Sequence, residues 1–368
     1  MIFNSKLRSP VVLFRHSFRY SGGRLHLPPS SSTKRSYGHL SDEAKSGSYQ
    51  QPEKRPPQVE SVEGHIDLDL FRRAAWVPES PLLLRSFHNL PAMQKWFQHG
   101  TEGSRTKFTQ YLRLFGDLIL PYEFTFSRAA TIKGVSEGNA LASFRTWLLS
   151  SNEYKMSALP VIVDAIINSS SDEGIFGNSS NFQQFNAPLS LIMSASQFNE
   201  TQSEPFKRIT NLYVAQSNLN DLPEPLFQDL PVPDIVKYAG KGDIYNSSIW
   251  LGLQPTYTPL HRDPNPNIFC QLVSSKRVRL IEPNQGDDIY ARVRRALGSS
   301  GNSRFRGAEM MDGRERELLH CAVWDDESVI EASLNPGDGL FIPKAWWHSV
   351  ASSGLEGELN ASVNWWYR

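Results

Sequence analysis

Two histidines and one aspartate in the C-terminal third are the residues of this chain best suited to do chemistry. Thr258-Pro259-Leu260-His261-Arg262-Asp263 carries a His-x-Asp pair, and a second histidine, His348, ends the run Gly337-Asp338-Gly339-Leu340-Phe341-Ile342-Pro343-Lys344-Ala345-Trp346-Trp347-His348. Two imidazoles and one carboxylate on one face of a metal leave the opposite face open. This is the ligand set of non-heme Fe(II) sites that activate oxygen. Neutral imidazole and ionised carboxylate are both available near neutral pH. Lys276 follows His261 by fifteen residues and could anchor an acidic co-substrate beside such a metal.

These residues need a scaffold that brings them together. On a β-strand, residues i and i+2 point to the same face, so His261 and Asp263 can reach one ion from one strand. His348 must come from a strand distant in sequence and adjacent in space, which a β-barrel or jelly roll provides by wrapping strands around a cavity. Leu334 to Pro343 reads as a turn at Pro336-Gly337 followed by an apolar strand that ends in Trp346-Trp347-His348. Plainer roles compete. The tryptophans could only fill a core, Pro336-Gly337 could only make a turn, and Lys276-Arg277 could be an exposed basic pair.

Six segments, in order, carry a family pattern: Tyr213-Val214-Ala215-Gln216, Trp250-Leu251-Gly252, Thr258 to Asp263, the trio Asn267, Gln271 and Lys276, Gly337 to His348, and Ser362-Val363-Asn364-Trp365-Trp366. Together they resemble the JmjC family of cupin-type, 2-oxoglutarate- and Fe(II)-dependent oxygenases. The likeness is greatest to its small hydroxylase branch, which includes the asparaginyl hydroxylase acting on hypoxia-inducible factor. It covers residues 205–368 clearly and extends weakly back to residue 65. Ser274 departs from the pattern, standing where the family has glycine.

The resemblance implies a mainly β fold, a double-stranded β-helix of the jelly-roll or cupin kind with flanking α-helices. It implies Fe(II) held by His261, Asp263 and His348, 2-oxoglutarate as co-substrate, and O2. Lys276 would pair with the distal carboxylate of 2-oxoglutarate, and Thr258 and Tyr213 would be its hydroxyl partners. Asn267 would contact the co-substrate, and Asn364 and Trp366 would line its pocket. A buried dicarboxylate needs such a cation and such donors, or its desolvation would be prohibitive. The implied reaction hydroxylates a protein side chain. Demethylation, if the carbon attacked is an N-methyl, and hydroxylation of a tRNA base are alternatives within the family. A catalytically silent cupin-like binding module is the alternative outside it. The partner is then an unknown protein or RNA substrate.

The N-terminus has another character. Residues 1–41 contain no Asp or Glu, seven basic residues from Lys6 to Arg35, and nine serines. Arg-rich, Ser-rich and acid-poor is the composition of a mitochondrial transit peptide, with a disordered basic tail of a nuclear or cytoplasmic protein as the alternative. Residues 42–60, with Pro52, Pro56 and Pro57, read as a flexible polar linker. Residues 61–204 supply flanking strands and helices, and 205–368 supply the catalytic core, interrupted by an insertion at 284–331.

Composition sets outer limits. With 38 basic and 38 acidic residues the chain has no net charge, which gives no support for DNA binding by bulk electrostatics. The two cysteines, Cys270 and Cys321, do not make a disulfide framework. No apolar stretch has the length of a membrane span. No dimerisation module is expected after Trp366, and the oligomeric state is not legible. Strands are expected at Ser80–Arg85 and Leu118–Phe124, and helices at Ala92–Phe97, Phe144–Leu149 and within Phe206–Asn211. An exposed loop is expected at Asn168–Asn186, and an extended, turn-rich approach around Pro223, Pro225, Pro231 and Pro233. The insertion, charged and centred on Gly298 to Ser303, is either a solvated loop or a lid beside the metal.

Overall fold

The run Asn267 to Val273 is rich in β-branched and apolar residues and is buried on both faces, so it belongs at the centre of a sheet. The computed structural model describes residues 55–100, 105–126, 137–171, 182–298 and 311–368, and places it there. The strands in chain order are β1 (Ser61–Glu63), β2 (Leu82–Arg85), β3 (Phe97–Gln98), β4 (Lys107–Phe108), β5 (Ile119–Thr125), β6 (Phe182–Pro188), β7 (Leu212–Asn218) and β8 (Ile244–Leu253). They continue as β9 (Tyr257–Arg262), β10 (Asn267–Val273), β11 (Lys276–Ile281), β12 (Ile330–Leu334), β13 (Gly339–Ile342), β14 (Trp347–Ser352) and β15 (Leu359–Tyr367).

One nine-stranded sheet has the order β1-β2-β13-β10-β15-β8-β7-β5-β6, and a four-stranded sheet has the order β12-β11-β14-β9. Their inner faces share one apolar cluster. Leu83, Phe269, Leu340 and Ile342 come from the large sheet, and Val278, Leu280, Ala332, Leu334 and Val350 from the small one. The expected jelly roll is therefore present, with helices on its outer surfaces. The helices Glu137–Ser150, Leu159–Ser171 and Ser190–Glu200 pack on one another, and the last of them packs on β8 of the large sheet. Phe144, Val163 and Ile192 join Ile249, Ile268 and Trp365 in the largest core. Each fully buried side chain of this size contributes roughly 1.5–3 kcal/mol.

Several local expectations change. Asn168–Asn186 is not one exposed loop. The helix runs on to Ser171, and β6 begins at Phe182 and pairs with β5, with Tyr122 stacked on Phe185 at 5.6 Å between ring centroids. Its polar Gln and Asn residues belong to the edge of the sheet, where one side needs no neighbour. The proline-rich approach folds into two short helices, Glu224–Gln228 and Asp234–Tyr238. Proline at the start of a helix forfeits only a donor that has no partner there. Phe97 leaves the helix Ala92–Lys95 for β3, and only Pro205–Lys207 of the region near Phe206 is helical, as a 3-10 turn.

The insertion is largely helical in its described part, with helices Pro283–Leu297 and Gly313–Trp324, and Glu331 already lies in β12. Residues 299–310, the heart of the expected loop, lie outside the described residues. So do the expected transit segment 1–41 and residues 42–54 of the expected linker. At the linker's other end, Gln58 bridges Glu331, and Val59 is buried in the barrel cluster. Among the described residues no helix is long and apolar enough to cross a membrane.

Candidate metal centre

Two strands of the small sheet bring the triad together. β9 and β14 are antiparallel, and His261 lies directly opposite His348, with ring centroids 4.2 Å apart. Asp263 sits just beyond the end of β9. His348 is the second residue of β14 and does not end the apolar strand that precedes it. β13 stops at Ile342, and the chain turns through Ala345 at φ 64° before β14 starts.

The ligand-capable atoms of His261, Asp263 and His348 all lie within 4.8 Å of one another. Ligands on one face of an ion with bonds of about 2.1 Å lie about 3 Å apart, so side-chain shifts of up to about 2 Å bring this trio to coordination. His348 Nε2 is 3.6 Å from Asp263 Oδ2. Hydrogen bonds fix which nitrogens are available. His261 Nδ1 is 2.8 Å from the Pro259 carbonyl, and His348 Nδ1 is 3.1 Å from the Trp346 carbonyl. A carbonyl only accepts, so each Nδ1 carries the proton and each Nε2 presents its lone pair. The carboxylate is held as well, because Trp366 Nε1 donates to Asp263 Oδ2 at 2.7 Å and Asn267 Nδ2 donates to it at 3.2 Å. Two neutral imidazoles and an oriented carboxylate fit a divalent transition metal such as Fe(II).

A small cavity of about 30 Å³ lies beside the triad, and all nine site residues singled out in the sequence line it: Tyr213, Thr258, His261, Asp263, Asn267, Lys276, His348, Asn364 and Trp366. Lys276 is no exposed basic residue. It is 1 % exposed, donates to Ser362 Oγ at 2.8 Å, and lies 3.4 Å from the Tyr213 hydroxyl. Its ammonium also faces the rings of Phe269 and Tyr213 at 5.2 and 5.7 Å. Asn267 and Trp366, expected to serve the co-substrate, bond to the Asp263 carboxylate. Asn267 Oδ1 is buried without a hydrogen-bond partner and remains free for a donor in the cavity.

Three further lining residues are Trp250, Phe269 and Val350. Trp250 Nε1 donates to Asn364 Oδ1 at 2.9 Å and so fixes which end of that amide is free. Phe269 was legible in principle, because it alternates with Asn267 and Gln271 on β10. Ser274, the departure from glycine, adopts φ 59°, a left-handed conformation that glycine reaches at no steric cost. Neighbouring groups are chemically quiet. Burial pushes the Cys270 thiol well above its usual range, and burial likewise raises the Tyr257 phenol.

The comparisons with known proteins agree with this geometry. JmjC domain-containing protein D of Dictyostelium discoideum is 31% identical over 150 residues, 38% of this chain and 32% of that protein. Lysine-specific demethylase JMJ30 of Arabidopsis thaliana is 30% identical over 158 residues, 42% of this chain and 33% of that protein. Lysine-specific demethylase 8 of Danio rerio is 31% identical over 157 residues, 42% of this chain and 36% of that protein. The chain thus spans about a third of the length of the curated relatives it matches. Residues 68–368, which include every described strand from β2 to β15, match the model of the cupin-like domain, and the chain belongs to that family.

Proposed function

We propose that this protein is an Fe(II)- and 2-oxoglutarate-dependent oxygenase of the small hydroxylase branch, acting on a protein side chain. The observation that carries it is the convergence of His261, Asp263 and His348, with Nε2 lone pairs and a braced carboxylate, in one cavity with the buried Lys276. Bound there, the iron would supply oxygen activation coupled to oxidative decarboxylation of 2-oxoglutarate. His261, Asp263 and His348 would hold it, and Trp366 and Asn267 keep the carboxylate aimed. Lys276 would receive the distal carboxylate of the co-substrate, with the hydroxyls of Thr258 and Tyr213 lining the same cavity. Such a charge-assisted bond to a buried ammonium is strong and directional. Asn364, oriented by Trp250, offers its amide nitrogen to the bound molecules.

Protein incubated with Fe(II) and ascorbate is expected to convert 2-oxoglutarate to succinate. Anaerobic addition of 2-oxoglutarate to the Fe(II) protein should produce the visible charge-transfer band of the chelate. Fully metal-loaded protein without that band would sink the oxygenase reading and favour a silent binding module. Demethylation is the second reading, supported by the names of the relatives from Arabidopsis thaliana and Danio rerio. Mass spectrometry of candidate substrates separates the two. Hydroxylation adds one oxygen atom to the product, whereas demethylation removes a methyl group with release of formaldehyde.

A further inference from the structure

Two of the three candidate ligands, His261 and Asp263, depend on β9, the edge strand of the four-stranded sheet, whose one neighbour in that sheet is β14. An edge strand is held by a single ladder of hydrogen bonds. Something on its outer face must therefore fix it if the triad is to keep its geometry.

The outward-facing residues at this rung are Arg262 and Trp347. They are cross-strand partners, and each is one residue from a ligand histidine, so by strand alternation they point away from the metal. Asp287, on the helix Pro283–Leu297, reaches both. Its Oδ1 accepts from Arg262 NH1 at 2.8 Å and from Trp347 Nε1 at 3.1 Å. The Arg262 guanidinium also lies 5.1 Å over the Trp347 ring. The same helix is seated too closely for any side chain at Gly286, where a Cβ would fall 2.1 Å from Trp347 Cδ1. Tyr290 adds a ring contact at 5.3 Å, and Ile289 and Val293 share a buried cluster with Trp347 and Leu260.

We propose that Asp287 is a positioning residue for the metal centre: one carboxylate oxygen braces the His261 and His348 strands from outside, through Arg262 and Trp347. The inference rests on the metal-centre reading above. It gives the first insertion helix the task of setting ligand geometry. An ion pair with Asp287 half exposed adds little to folding stability, so the role is geometric more than energetic.

The test compares Asp287→Ala and Asp287→Asn with Asp288→Ala, an exposed neighbour on the same helix. Co(II) serves as the probe, read by its affinity and its visible d–d spectrum, and the denaturation midpoint of the metal-free protein is measured alongside. Outer partners of ligand residues typically tune metal affinity by about 10–100-fold. Asp287→Ala is expected to weaken Co(II) binding about tenfold or more and to alter the spectrum. Asp287→Asn, which keeps an acceptor for Trp347 and loses the charge facing Arg262, should fall between it and the parent. Asp288→Ala should match the parent, and the metal-free midpoints of all variants should agree closely. A merely structural role would lower the midpoint and leave the affinity of the folded protein intact. An Asp287→Ala protein with the parent's Co(II) affinity and spectrum overturns the proposal. A parent that takes up no Co(II) overturns the metal-centre reading itself, and this inference with it.

Discussion

Replacing Lys276 with methionine tests the co-substrate pocket with two readouts of opposite character. The ammonium is 1 % exposed and lies among Ser362, Tyr213 and Phe269. Methionine keeps most of the side-chain volume and removes the charge. A buried cation is costly to hold, so the metal-free Lys276→Met protein should be as stable as the parent or more so. Binding should suffer, because a dicarboxylate entering the variant leaves one carboxylate without its cation. The penalty for breaking such a buried pair is about 3 kcal/mol at the low end, or roughly 150-fold in Kd. At a 2-oxoglutarate concentration 100 times the parent Kd, the ligand adds about 2.7 kcal/mol to the stability of the parent. The same concentration would then be below the Kd of the variant and would add about 0.3 kcal/mol. At about 2 °C per kcal/mol, this is a thermal shift of about 5 °C in the parent and less than 1 °C in the variant. Thermal denaturation with Mn(II) in place of iron, with and without 2-oxoglutarate, measures both. Equal ligand-induced shifts in the two proteins would refute the role of Lys276. Loss of metal binding in the variant would show that the lysine serves the triad instead.

Further outcomes are expected. Asp263→Ala removes the one anionic ligand of the trio and leaves the Trp366 and Asn267 donors without their acceptor, so Fe(II) binding measured by chelator competition should be abolished while the fold persists. His88 should make the fold acid-sensitive. Burial pulls its pKa down to about 4, against a smaller raising effect of its bond to the Asp338 carbonyl. The folded state therefore disfavours a proton that the unfolded chain accepts at the ordinary histidine value. Stability is full above pH 6.5 and falls as the pH drops from 6.5 towards 4, by about 3 kcal/mol at most. Urea midpoints across that range should decline less in His88→Gln than in the parent, and identical slopes would contradict the assignment. We also propose that residues 1–41 direct mitochondrial import, since an acid-free basic segment is drawn by the membrane potential. A fluorescent fusion of the full chain should enter mitochondria and one lacking these residues should not. A nuclear or cytosolic signal from the full-length fusion would refute this and turn the substrate search towards those compartments.

The sequence by itself picked out the side chains that the structure brings to one cavity. His261, Asp263, Lys276 and His348 are functional types at restrictive spacings, and five more residues named with them line the same cavity. The jelly roll was likewise legible, from the need to bring His261, Asp263 and the distant His348 to one ion and from the family resemblance, because strand alternation is a local property of the chain. Local chemistry was misleading where it had competitors. Polar residues at 182–186 suggested a loop and form an edge strand, and prolines at 223–233 suggested extended chain and start helices. Tertiary structure alone decided how the site is oriented. Asn267 and Trp366 turn to the Asp263 carboxylate, Nδ1 of each histidine turns to a backbone carbonyl, and Asp287 reaches Arg262 and Trp347 from a helix within the insertion. These partners are separated by up to 103 residues, as Trp366 is from Asp263. No local periodicity encodes such a contact; it exists only once two sheets close around a cavity and a helix is pressed against the outer face of one of them.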